Sequence, residues 1–266
     1  AQRDTGWIQF YCEDSQEVLD TTLQAYRLAE SVNLPVMVVL DAFFLSHTYE
    51  PVDVPEPEEA DRFLPPYEAR FQLDTQAPCS FGPLVPPAVY MEMRHDIAQA
   101  MEKALSTFRE IEDEYAGIFG RRYGAVEAVC CDDAEIVLVT SGTITSTARS
   151  VLEDLRGRGE KAGLLKIKLF RPFPVDDVRR ALGGAKKIAV IDRNFSFGAS
   201  GIFAQELRAA LCNVPGHAPV FGYVAGIGGR DVTPAVLEDI YWKTKNSAAP
   251  ERESVWIGLQ EVSHGS

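Results

Sequence analysis

Between Glu135 and Pro174 the order of apolar and polar positions reads as strand, helix, strand. Ile136 to Val139 is an unbroken, β-branched apolar run flanked by acids and closed by Thr140-Ser141-Gly142-Thr143, as expected of a strand buried on both faces. Ile144, Ala148, Val151, Leu152 and Leu155 then recur at spacings of three and four, which puts them on one helix face. Gly157 and Gly159 stop that helix, where a residue with positive φ is commonly needed. A second apolar run, Leu164 to Phe170, ends at Arg171-Pro172-Phe173-Pro174. Strand, helix and strand of these lengths predict a βαβ unit with two parallel neighbouring strands.

The same alternation continues downstream. A helix is predicted over Val175–Leu182, stopped by Gly183-Gly184, and a strand over Lys187–Asp192. After the loop 196–201, Phe203, Leu207, Ala210 and Leu211 share a helix face. Val220–Val224 is a fourth strand, and Thr233 and Pro234 supply an N-cap and first residue for a last helix. Four strands alternating with helices predict a three-layer α/β domain on a parallel sheet. Val255-Trp256-Ile257 is a candidate edge strand in the tail.

Upstream, Gly6 to Cys12 has strand character, and Asp14 followed by Glu17 resembles a capping box. The helix that follows runs to about Val32 and is expected to bury Val18, Ala25 and Ala29, with Leu19, Leu23 and Tyr26 on an adjoining stripe. Val36 to Leu40 is an apolar strand closing on Asp41. Two parallel strands cannot cover themselves, so these residues read as the tail of a larger domain. Residues 51–87 hold nine of the sixteen prolines. Their apolar load (Phe63, Leu64, Tyr67, Phe71, Phe81, Leu84) predicts an arm draped over the protein. A long scaffold helix follows from about Ala88, with Ile97, Met101, Leu105, Phe108, Ile111, Tyr115 and Ile118 on one stripe. The expected division is 1–50, 51–129 (arm and connecting helix), 130–245 and a tail 246–266.

Composition changes this picture little: 266 residues, 46% hydrophobic and 24% charged, suit a globular chain with a sizeable core. The net charge of −13 argues against a nucleic-acid surface, which needs clustered Lys and Arg. No apolar span approaches the ~20 residues needed to cross a bilayer, so neither nucleic acid nor membrane is expected as a partner. Five cysteines without a C-x-x-C pattern predict no disulfide framework or metal site and a reduced, cytoplasmic setting. Cys130 and Cys131 read as a buried apolar pair. None of His47, His95, His217 and His264 has the spacing of a metal cluster.

Ligands of open parallel sheets gather at the carboxyl ends of the strands. Four loops fall there: Thr140–Thr143, Arg171–Pro174, Asp192–Asn194 and Ala225–Asp231. The first is placed to cradle an anion at a helix N-terminus, although a plain strand-to-helix turn explains it equally well. Gly226-x-Gly228-Gly229 departs from the dinucleotide fingerprint. His47, just past the Val36 strand in Asp41-Ala42-Phe43-Phe44-Leu45-Ser46-His47, reads either as a site residue or as a histidine fixing its own loop.

Several of these stretches carry a family resemblance. Arg3-Asp4-Thr5-Gly6-Trp7 with Asp41-x-Phe43-x-x-Ser46-His47 resembles the later part of the first domain of 2-oxoacid:ferredoxin oxidoreductases, most closely the alpha subunit of the pyruvate:ferredoxin type. Lys166 to Phe173, Ile191-Asp192-Arg193, and Gly222-Tyr223-x-x-Gly226-Ile227-Gly228-Gly229-Arg230-Asp231 resemble that subunit's second domain, which has the fold of the transketolase C-terminal domain. The resemblance implies oxidative decarboxylation of pyruvate to acetyl-CoA with electrons passed to ferredoxin, or the reverse. It implies thiamine diphosphate with Mg, held mainly by an upstream segment and a partner subunit, and iron–sulfur clusters on partners, with none in this chain. The implied partners are beta, gamma and delta subunits, ferredoxin and coenzyme A, in an oligomer. Arg3 matches the family's ligand for the substrate carboxylate, with Thr5 beside it, and Asp41, Ser46 and His47 form a possible site loop. The glutamate that activates the cofactor lies upstream in the family. The chain by itself is therefore expected to carry no catalytic residue, to lack most of the first domain and to be inactive alone. Two other readings stand beside this one: a non-catalytic subunit-assembly module, and a nucleotide-binding protein using the Ser141 and Gly226 loops.

Overall fold

The computed structural model describes residues 2–69, 71–82, 84–251 and 254–260. Nine strands and seven α-helices follow in the order β1 (Ile8–Tyr11), α1 (Ser15–Val32), β2 (Val36–Val39), α2 (Pro57–Phe63), α3 (Pro87–Phe119), β3 (Val126–Val129), β4 (Ile136–Thr140), α4 (Ile144–Gly157), β5 (Ala162–Ile167), β6 (Leu169–Arg171), α5 (Val175–Leu182), β7 (Lys187–Asp192), α6 (Ile202–Leu211), β8 (Val220–Val224), α7 (Pro234–Asn246) and β9 (Val255–Trp256). His264 lies outside the described residues.

The large sheet has the order β3-β5-β4-β7-β8-β9. All its pairs are parallel except β3–β5. The apolar runs of β4, β5 and β8 are buried along their whole length, as strands covered on both faces must be. On one face Val178, Leu182, Phe203, Leu207 and Leu211 from α5 and α6 pack on Val137, Val139 and Val190. On the other, Ile144, Val151, Leu155, Leu237 and Ile240 from α4 and α7 pack on Leu138, Leu164 and Ile191. Helices, sheet and helices form the three expected layers.

The run Leu164–Phe170 is not one strand. β5 ends at Ile167, and after Lys168 the chain continues as β6, which leaves the large sheet and pairs antiparallel with β1. The small sheet therefore has three strands, β2-β1-β6, and the upstream βαβ unit does not stand alone. Its core joins Ile8, Phe10, Leu28, Phe63, Phe108, Ile111, Tyr115 and Leu169.

Three expectations about burial are corrected. Helix α1 buries Glu17, Asp20, Thr21 and Gln24 together with Ala25, Leu28 and Val32, while Tyr26 is exposed and Val18, Leu19, Leu23 and Ala29 are half-buried. The buried flank faces charged partners: Asp20 accepts from Arg121 Nε at 2.6 Å and Tyr123 Oη at 2.6 Å. The arm is draped only in part. Phe63 is fully buried edge-on against Tyr115 and Phe119, whereas Phe71, Leu73, Phe81 and Leu84 are exposed, as are Val89, Tyr90 and Met91 at the tip of α3. The cysteine pair also divides, with Cys131 buried and Cys130 exposed at φ 53.

Candidate functional site

The parallel strands of the large sheet run β5-β4-β7-β8-β9, so the chain leaves β4 in one direction first and returns to the other side through β7. The crevice at the carboxyl ends of β4 and β7 is therefore the switch point where ligands of such sheets collect. Thr140–Thr143 and Asp192–Asn194 line it, as the sequence indicates. The anion found there belongs to the chain itself. Asp41, from the end of β2, places its Oδ2 where Thr143 donates both its backbone N–H (2.8 Å) and its hydroxyl (2.6 Å). Arg193 pairs with the same oxygen at 2.8 Å and donates to Thr143 Oγ1 at 3.0 Å. Gly142 makes this possible: its φ is +71°, and a Cβ there would lie 2.7 Å from Asp41 Oδ2. Gly226 does the same for the arginine, since a Cβ on it would lie 3.2 Å from Arg193 Nε.

Beyond Asp41 the chain turns through Leu45, whose N–H donates to Asp41 O at 3.0 Å. Ser46 Oγ accepts from Phe43 N at 3.0 Å and lies 2.7 Å from His47 Nδ1. Phe43 stacks on His47 with ring centroids 4.5 Å apart, and the Arg193 guanidinium sits 5.1 Å from the Phe44 ring centroid. His47 thus does fix its own loop, and it does so exposed on the carboxyl-end face.

Beneath this face Asp192 is fully buried and accepts from Phe203 N (2.8 Å) and Ala204 N (3.1 Å) at the start of α6. Burial raises its carboxyl to about 7 against the pull of those two N–H groups and of Arg208. Gly201 is required beside it, because any Cβ would overlap the carboxylate.

The seam between the sheets is a buried ionic network. Lys166 Nζ lies 2.8 Å from Glu13 Oε2 and 2.9 Å from Glu17 Oε2. Arg149 spans Glu13 and Glu127 with paired hydrogen bonds. Burial alone would raise Glu13, but Arg149, Lys166 and Ser146 outweigh it and hold the carboxyl at about 2. Asp14 Oδ1 caps α1 by accepting from Glu17 N at 2.8 Å, while Glu17 reaches the N–H of Glu13, not that of Asp14 as a capping box would have it. Lys168, fully buried with its Nζ 4.2 Å from the Tyr123 ring centroid, has its ammonium form disfavoured by burial.

Arg3 and Thr5 lie elsewhere. They precede β1, whereas Asp41, Ser46 and His47 follow its parallel neighbour β2. Among the described residues no hydrogen bond or ion pair links the two groups. Arg3 lies 3.3 Å from Asp4, 3.4 Å from Gln205 and 3.6 Å from Glu206, and Glu206 is held at 2.7 Å by Arg171. Thr5 is exposed and donates to Gln2 O. Tyr11 stands between the groups, packed edge-on against Phe170 and Phe203. Burial raises its hydroxyl pKa, with Asp41 and Asp192 adding to the effect and Arg171 opposing it. Sequence reasoning marked the loops but missed the Asp41–Thr143–Arg193 triad and the Glu13–Glu17–Lys166 seam. The one available signal was an acid at the end of an apolar strand.

Two family descriptions match the chain: "Pyruvate flavodoxin/ferredoxin oxidoreductase, thiamine diP-bdg" over residues 1–113 and "Pyruvate:ferredoxin oxidoreductase core domain II" over residues 134–237. Pyruvate synthase subunit PorA of Methanothermobacter thermautotrophicus is 44% identical over 99% of this chain and 67% of its own length. Ketoisovalerate oxidoreductase subunit VorA of Pyrococcus abyssi is 41% identical over 98% of this chain and 67% of its own. The 2-oxoglutarate:ferredoxin oxidoreductase of Magnetococcus marinus, solved with 2-oxoglutarate, coenzyme A and succinyl-CoA bound, superimposes with a TM-score of 0.60 at 19% identity. That superposition covers 90% of this chain and 42% of the other, and at such identity it speaks for the fold alone.

Proposed function

The chain belongs to the pyruvate:ferredoxin oxidoreductase family, and on that premise we propose that it is the alpha-type subunit of an enzyme that oxidatively decarboxylates pyruvate, or runs the reverse. It is part of a 2-oxoacid:ferredoxin oxidoreductase complex, with partner subunits and thiamine diphosphate. Pyruvate is our choice over a branched 2-oxoacid because both matching family descriptions name pyruvate. The partners proposed are beta, gamma and delta subunits carrying the iron–sulfur clusters. In the overall reaction the 2-oxoacid anion and the coenzyme A thiol give acyl-CoA, CO2 and one proton, and two electrons leave to ferredoxin.

A magnesium ion at the diphosphate end of the cofactor is carried by phosphate oxygens and waters with one or two protein carboxylates, and on our reading the partner subunit supplies them. The chain's own contribution, on this reading, is carboxylate recognition by Arg3 with Thr5, and the loop 41–47 presented on the carboxyl-end face. We assign residues 1–50 to a thiamine-type unit, 51–125 to arm and connecting helix, and 126–246 with β9 to the large-sheet unit; this departs from the expected 130–245 because β3 and β9 pair in the large sheet.

Arg3 carries the substrate reading. Its three partners lie at 3.3 to 3.6 Å, longer than the roughly 2.7–2.9 Å of a well-made charge-assisted bond, and its side chain is 29% exposed. A guanidinium so loosely held has donors to give a 2-oxoacid carboxylate in a bidentate pair. In the assembled enzyme Arg3→Ala should lower kcat/KM for pyruvate by roughly thirtyfold, about 2 kcal/mol, with thiamine diphosphate affinity unchanged. An unaltered kcat/KM would remove Arg3 from the site.

A further inference from the structure

One contact fills the switch-point crevice. Asp41 is locked by Thr143, 102 residues away in sequence, and by the still more distant Arg193, and the loop that follows ends in the exposed pair Ser46 and His47. Two glycines from separate loops, Gly142 and Gly226, leave room for the two charged side chains. The contact holds the loop at two points. One is the carboxylate of Asp41 on Arg193, and the other is the Phe44 ring on the face of the same guanidinium. Arg193 and Asp41 are 16% and 22% exposed, so solvent weakens the pair only in part.

From Asp41 the constraint passes without a gap. The Asp41 carbonyl holds Leu45 N, Ser46 Oγ holds Phe43 N, and Ser46 Oγ and the Phe43 ring together fix the imidazole of His47. A lysine at position 193 could reach the carboxylate. It would lack the planar face that packs on Phe44.

We propose that Arg193 is a positioning residue of the oxidoreductase: anchored in the large sheet, it sets the place of His47 on the carboxyl-end face through Asp41 and Phe44. The proposal rests on reading residues 41–47 as a site loop. It makes the large-sheet unit a contributor to the geometry of the site. A misplacement of about 1 Å can cost up to two orders of magnitude in rate, so loss of this anchor should register in turnover.

The test is a double-mutant cycle in the assembled complex with Arg193→Met, His47→Ala and both together, reading kcat/KM for the 2-oxoacid. We expect about a tenfold or greater loss for Arg193→Met, a loss at least as large for His47→Ala, and a double mutant no worse than His47→Ala alone. Arg193→Lys should fall between wild type and Arg193→Met, and it serves if the methionine variant fails to assemble. The unfolding midpoint of each variant checks that the fold is intact. Full activity in His47→Ala would overturn the site-loop reading on which the proposal stands. A loss in His47→Ala with either no loss in Arg193→Met or additive losses in the double mutant would overturn the positioning role itself.

Discussion

Lys166→Met probes the seam that holds the two sheets in register. Lys166 is 4% exposed and faces Glu13 (5%) and Glu17 (0%) at 2.8 and 2.9 Å. Breaking a buried pair by removing one partner costs about 3–5 kcal/mol, because a buried charge is left uncompensated. Here the cost is unequally shared. Glu13 keeps Arg149 at 2.8 Å and Ser146 at 2.8 Å. Glu17 keeps only the N–H of Glu13 at 2.6 Å and Lys168 at 3.6 Å, the latter with its charged form disfavoured by burial. The loss should therefore sit near the lower end, about 3 kcal/mol. With a urea m-value of about 3 kcal/mol/M for a chain of this size, the midpoint should fall by about 1 M. Adding Glu17→Gln removes the stranded charge and keeps an acceptor for Glu13 N, so the double mutant should recover more than half of the loss. The assay is urea unfolding followed by circular dichroism at pH 7. A loss below about 1 kcal/mol in Lys166→Met would show that the network contributes little. A double mutant no better than the single would show that Lys168 already neutralises Glu17.

Two further outcomes are expected. Because the Asp192 carboxyl sits at about 7 in the folded chain and near 3.8 in the unfolded one, the folded state holds its proton more tightly, so this group's contribution to stability falls as pH rises from about 4 to 7. Asp192→Asn should flatten that part of the profile in urea titrations at pH 5, 6 and 8, and profiles parallel to wild type would refute the assignment. Leu84 and Met91, 95% and 79% exposed on either side of the start of α3, are apolar side chains suited to a partner subunit. Leu84→Asp with Met91→Asp should leave the chain's unfolding midpoint unchanged but abolish co-purification of partner subunits, and undiminished co-purification would place the interface elsewhere.

The residue pattern alone determined the elements of the large-sheet unit apart from β3, which lay inside the stretch read as arm and connecting helix, and the break between β5 and β6. Strand runs such as Ile136–Val139 and Val220–Val224, and helix faces such as Ile144 to Leu155, depend on spacings of two and of three to four residues, and those spacings are local. The parallel pairing of β4 with β5 followed from the length of the helix between them. The motifs at Arg3, Asp41, Lys166, Ile191 and Gly222 also carried the family, because order along the chain is itself a sequence property.

Tertiary structure decided whatever depended on a distant partner. The break at Lys168 carries β6 to β1 about 160 residues back, and no local pattern separates Lys168 from Lys166, since both alternate with apolar neighbours. Helix α1 can bury Glu17 and Asp20 because Lys166, Arg121 and Tyr123 arrive from other segments to satisfy them, so a rule that buries the most apolar stripe chose the wrong face. The apolar side chains of the arm separate into the buried Phe63 and the exposed Leu84 according to where α3 ends, which composition does not encode. The carboxylate in the switch-point crevice is legible only after folding. Thr143 and Arg193 advertise an anion site, but the anion comes from Asp41 on a different sheet, and only the packing of the two sheets brings it within 2.8 Å.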